Sequence, residues 1–159
     1  MDFALSEEQE LLQETVRGFV EKECPAALAR QIFDGERGPA AKLWSGLAEI
    51  GIAGLAIPEK YGGAGLALLE LALVSEELGR GVVPVPFLGH ALASLALAQG
   101  GSDAQQARWL PELASGEALG AVAFGDVAPH AGDADVLVFA RADGSLALAE
   151  RGAGFRAEP

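Results

Sequence analysis

Few side chains in this 159-residue chain are of the types that do chemistry, and their spacing limits what they can do. Glu76 and Glu77 are adjacent carboxylates that invite an acid–base reading. Neighbours on a helix point in different directions, so the two cannot grip one substrate together; they read as a solvated helix end. His90 sits in an apolar helical stretch, where it is either a hydrogen-bonded core residue or a residue touching a ligand. His130 follows a proline in a loop, and with Asp133 and Asp135 it lacks metal-motif spacing, so no metal site is expected. The single cysteine, Cys24, rules out an internal disulfide. With no histidine near it in sequence, it reads as structural rather than catalytic. The segment Tyr61-Gly62-Gly63-Ala64-Gly65 either turns the chain between two helices or lets backbone approach a ligand. No residue qualifies as catalytic.

The elements that must hold these residues are mostly helical. Half of the chain is hydrophobic and only 6% aromatic, so the core rests on Ala, Leu and Val. Alanine and leucine lose little side-chain freedom in a helix. Ser6 with Gln9, and Ser102 with Gln105, are capping boxes. The first opens a helix that runs to about Glu23 and stops near Pro25, with Leu12, Val16, Phe19 and Val20 on one face. A short helix over 26–33 follows, then a loop over 34–38. Pro39 suits the first turn of a third helix, which Gly51 ends as a left-handed cap. Residues 66–78 and 87–99 read as apolar helices, separated by an extended Val82–Pro86 link. The helix opened by Ser102 carries Trp109, Leu110 and Leu113 and closes at Gly116.

After Gly116 the pattern becomes β-like, with runs at 121–124 and 136–140 and an Asp143-Gly144 hairpin turn before 146–150. The expected fold is mainly α: an orthogonal or up-down bundle of about six helices, followed by a short β-hairpin-rich tail. Residues 1–118 form the helical domain and 119–159 a truncated β portion.

The net charge of −12 leaves no surplus of cations for nucleic acid or for anionic membrane surfaces. The start of the chain has neither the basic nor the apolar region of a signal peptide. Val82–Leu97 is too short and too broken by Pro84, Pro86 and Gly89 to cross a membrane. A cytoplasmic setting is expected.

Several segments, in order, resemble the acyl-CoA dehydrogenase family. They are Leu5-Ser6-Glu7-Glu8-Gln9; Trp44 with Leu47, Glu49, Gly51 and Ile52; Ile57 through Gly65; Glu76-Glu77-Leu78-Gly79; and Trp109 through Glu117. The likeness spans about residues 3–124, and the Pro58–Gly65 block is its sharpest piece. It implies a helical amino-terminal domain, a β-barrel-like middle domain and a carboxy-terminal four-helix bundle. FAD would lie between the last two domains. A glutamate of the carboxy-terminal half would take a proton α to the thioester carbonyl, and hydride would pass to the flavin. An acyl-CoA would be the substrate of the full enzyme, an electron-transfer flavoprotein its redox partner, and homo- or hetero-oligomers its assembly.

The resemblance places Val85, Phe87, Leu88 and His90 along the acyl pocket, with Gly89 leaving room, and Phe124 and Gly125 near the flavin. The family's flavin-facing Thr-Glu-Pro is replaced here by Gly125-Asp126-Val127, which lacks the threonine hydroxyl. Residues 133–150 resemble a later hairpin of the middle domain, as though intervening strands were deleted. The chain is therefore expected to be an amino-terminal portion or reduced subunit of an FAD-dependent acyl-CoA dehydrogenase, without the catalytic base. The other reading is a non-catalytic helical module for assembly or protein binding.

Overall fold

The computed structural model describes residues 4–125, 127–141 and 143–151. Six α-helices precede a three-stranded sheet: α1 (Glu7–Glu23), α2 (Ala26–Phe33), α3 (Arg37–Glu49), α4 (Leu68–Arg80), α5 (Phe87–Gly100) and α6 (Asp103–Ser115), then β1 (Gly120–Ala123), β2 (Val136–Ala140) and β3 (Leu146–Glu150). The mainly α architecture is the one the sequence leads one to expect.

Local chemistry sets the helix ends. Gln9 N–H donates to Ser6 Oγ at 3.3 Å, and Ser6 N–H donates to Gln9 Oε1 at 3.0 Å. Ser102 and Gln105 repeat the arrangement at the start of α6. Both satisfy donors that a helix start leaves open. α3 begins at Arg37, ahead of Pro39, which still lies where a missing N–H leaves no bond unmade. α4 begins at Leu68 rather than Leu66, because Ala67 is extended, with ψ −175°, and stands as the N-cap.

One core joins α1, α3, α4 and α5 through Val16, Leu47, Ile52, Val74 and Phe87. α1 and α4 approach so closely that a Cβ at Gly81 would run into the Val20 side chain. A second core, around Ile57, Leu97, Leu110 and Leu113, includes Val136 of β2. The sheet therefore shares its packing with the helices.

The hairpin between β2 and β3 is antiparallel, with Ala140 opposite Leu146. β1 pairs with β2 in parallel, Gly120 opposite Val136. A parallel pair requires a crossover, supplied here by 124–135. The sequence led us to expect hairpins and gave no sign of this pairing.

Candidate functional site

The link between α4 and α5 runs from Gly81 to Pro86. It borders a cleft of about 400 Å³ lined by Leu78, Val83, Pro84, Val85, Phe87 and Leu88. Three of the four residues assigned to an acyl pocket from sequence thus border one opening. Their exposure differs sharply. Leu88 is 62% exposed at the rim, whereas Phe87 is only 3% exposed and belongs to the helical core.

The fourth, His90, is not on that surface. It is fully buried. Gly120 N–H donates to its Nδ1 at 3.2 Å, which places the ring proton on Nε2, where it donates to the Ala53 carbonyl at 3.2 Å. Trp44 packs against it edge-on, with ring centroids 4.8 Å apart. Burial pushes the imidazole pKa down to about 4, so the ring is neutral. His90 does not line the cleft bordered by Val85, Phe87 and Leu88, and both its nitrogens are engaged with backbone. It ties the 52–57 segment to β1.

The reading of Glu76 and Glu77 as a solvated helix end fails for one of the two. Glu76 is solvated and pairs with Arg80 at 2.7 Å. Glu77 is 2% exposed and takes both Arg17 contacts, Nη2 to Oε1 at 2.8 Å and Nε to Oε2 at 3.1 Å. Hydrogen bonding from Arg17 holds the Glu77 carboxyl below the usual range. The missed signal was positional: Glu77 lies four residues after Leu73 and next to Leu78, on the buried side of α4.

The glycine-rich loop packs on its own neighbourhood. Ala64 N–H donates to the Gly54 carbonyl, Gly65 N–H to Ile57 and Leu66 N–H to Leu55. A Cβ at Gly63 would overlap the Ile57 carbonyl oxygen. The close approach is of backbone to backbone, which supports the turn reading over the ligand reading. Cys24 is buried at the end of α1, and burial pushes its thiol pKa up, as suits a structural cysteine.

Phe124 and Gly125 lie just beyond β1. Phe124 is 63% exposed, and its N–H and C=O are both engaged with Val127, at 2.7 and 3.3 Å. Gly125 has φ +63° with open space where a Cβ would stand. Asp126 lies outside the described residues. The two residues offer one bare aromatic face and no free polar group of Phe124 to grip a flavin edge. Among the described residues, no cluster of three His, Cys, Asp or Glu side chains is placed to hold a metal, and no helix is long and apolar enough to cross a membrane.

Known proteins share this arrangement. Residues 6–117 match the model of the acyl-CoA dehydrogenase N-terminal domain. Acyl-CoA dehydrogenase IpdE2 of Mycolicibacterium smegmatis is 43% identical over 138 residues, covering 86% of this chain and 43% of that protein. IpdE2 of Mycobacterium tuberculosis is 41% identical over 154 residues, covering 96% and 47%. The chain thus spans a little under half the length of these relatives. In structure it is similar to the ChsE4-ChsE5 complex from Mycobacterium tuberculosis, with a TM-score of 0.82 at 26% identity, covering 96% of this chain and 49% of that one. A Tcur3481-Tcur3483 steroid ACAD variant gives a TM-score of 0.79 at 29% identity, covering 92% and 48%. The chain belongs to the acyl-CoA dehydrogenase family, and residues 6–117 form its N-terminal domain.

Proposed function

We propose that the chain works as the N-terminal portion, or as a reduced subunit, of an FAD-dependent enzyme that dehydrogenates an acyl-CoA thioester between Cα and Cβ. Residues 1–118 supply one wall of the acyl pocket and a packing surface, and 119–159 begin the middle β domain. The observation that carries this reading is the cleft bordered by Val85, Phe87 and Leu88, in a chain of this family. Phe87 is immobilised in the core, so the cleft has a fixed back, while Leu88 stands at its rim. Such a surface selects acyl groups by shape; it supplies no acid or base.

Chemistry then rests on groups outside the described residues. The flavin, the base and the electron-accepting flavoprotein belong to the rest of the assembly, whether one longer chain or two. ChsE4-ChsE5 is a complex in which this chain covers 49% of the chain it matches, which supports a longer polypeptide assembled with a partner. A place in lipid metabolism rests on the family to which the chain belongs.

The chain should be purified alone and with each polypeptide that co-purifies from its source, then assayed for flavin absorbance and for acyl-CoA-dependent bleaching. Flavin and turnover are expected only in the assembled form. There, Leu88→Trp lowers kcat/KM for the bulkiest acyl group by about tenfold, with small acyl groups little affected. Absence of flavin and turnover in every preparation sinks the enzymatic reading and leaves the assembly module.

A further inference from the structure

A second cavity, of about 530 Å³, lies on the other side of the α4–α5 link, between α2, α3 and the loop that precedes β2. Val82 and Pro84 border both openings, so the link is the partition between them. The walls of this cavity are carbon: Ile32, Trp44, Pro86 and Leu119 among them. The indole N–H of Trp44 is engaged with the Gly116 carbonyl at 3.2 Å, so this side chain presents only ring surface. Such a volume and lining match sites for compact organic ligands.

Two features separate this cavity from a packing defect. Among the described residues, the non-glycine positions with positive φ are Val82, at +51°, and His130, at +61°, and both border it. For a β-branched residue that conformation is an outlier, and strained backbone gathers at ligand clamps. Secondly, the His130 imidazole has no hydrogen bond among the described residues and stands at the mouth as donor and acceptor. Glu36, Arg37 and Asp133 give this cavity a negative rim. Arg37 pairs with Asp133 at 3.5 Å, which leaves Glu36 and the net charge of −12 to repel an anion. A cation finds Asp133 already paired, and Glu36 lies at the exposed rim, so against the apolar wall its charge has no buried partner.

We propose that this cavity binds a small neutral molecule, with an apolar body against Trp44 and one hydroxyl or carbonyl end hydrogen-bonded to His130. The site goes beyond the acyl-pocket reading and does not rest on it.

The test uses the full chain and calorimetric titration with phenylbutanol, phenylbutyrate and phenylbutylamine, three charges on one skeleton. Phenylbutanol binds once per chain. The carboxylate and the amine bind at least about tenfold more weakly, because burying an unpaired charge is unfavourable. Ala41→Leu, which fills the cavity from the exposed side of α3, abolishes binding with the helical circular dichroism unchanged. His130→Ala weakens binding about fivefold, the loss of one hydrogen bond. Val82→Gly weakens binding while the thermal midpoint holds or rises; a purely structural valine would give the second change without the first.

The proposal is overturned if phenylbutanol does not bind the folded chain, if Ala41→Leu binds it equally well, or if either charged probe binds more tightly. It is also overturned if light scattering shows self-association that Ala41→Leu disperses, since the cavity is then a protein interface. Flavin content enters none of these readouts, so failure of the enzymatic reading leaves the test intact.

Discussion

The molecule has two seams, closed by opposite means. Between α1 and α4 the closure is a charged pair, with Glu77 buried and the Arg17 side chain 42% exposed. Between the helices and the sheet it is an uncharged ring, His90, with a backbone partner on each nitrogen. A half-exposed guanidinium keeps part of its hydration, so the first seam can be opened on one side without stranding a buried charge. The second has no such outlet. Removing the imidazole leaves a buried N–H and a buried C=O unpaired together, so the sheet seam is the more brittle of the two.

The comparison breaks first at His90→Leu. Two orphaned backbone groups and a misfit beside Trp44 together cost about 4 kcal/mol. Urea denaturation measures the loss. Hydrogen exchange locates it, with protection falling first at Gly120 and along β1 rather than in α1. A chain that loses α1 protection first would show that the seams are not separable.

Acid provides the next effect. The folded His90 pKa, about 4, lies below the ordinary value of 6.5, so the unfolded chain binds the proton more readily. The stability that neutral His90 contributes is present above pH 6.5 and is lost as pH falls towards 4, on the order of 3 kcal/mol over the window. The Glu77 pKa is also depressed, but from 4.5, so its contribution fades only below that pH. Between pH 6.5 and 4.5 the slope of stability therefore belongs to the sheet seam, and His90→Leu flattens it. A slope that survives the substitution refutes the assignment.

Glu77→Ala costs less, about 2 kcal/mol. It removes a buried acceptor, and Arg17 turns to water. Methionine at the same position recovers most of the loss, as apolar replacements of buried ions often do. If alanine costs more than His90→Leu does, the order of brittleness proposed for the seams is wrong.

How much of this was legible beforehand depends on the range of the interactions. The α1 and α6 starts were readable because Ser6–Gln9 and Ser102–Gln105 close their boxes within three residues. The partners of His90 lie 37 and 30 positions away, and no local pattern reports them. The parallel β1–β2 pair was hidden for the same reason, since Gly120 and its partner Val136 are far apart in sequence. Glu77 was misread because adjacency to Glu76 outweighed its place behind Leu73 on the buried side of α4. For the cleft beside the α4–α5 link, the sequence already places Val85, Phe87 and Leu88 in one segment. Only packing shows that Phe87 faces the core and Leu88 the solvent.

The smallest effect sharpens the comparison at the point where the charged seam ends. Val82 follows the C-terminus of α4 in the left-handed region, a position that glycine takes without steric penalty. Its N–H donates to the Gly79 carbonyl at 3.1 Å, and Val83 N–H to Leu78 at 2.9 Å, so the backbone must stay in place whatever the side chain. The valine is 73% exposed and contributes little packing. Val82→Gly therefore relieves the left-handed strain, offset in part by the freedom that glycine gains in the unfolded chain, for a net gain of about 1 kcal/mol. Denaturation midpoints of the single variant, and of the same change in the Glu77→Ala background, should rise equally, because the strain is local and independent of the ion pair. Unequal gains would mean that the α4 end and the Arg17–Glu77 pair form one unit, and that the charged seam extends into the wall between the two cavities.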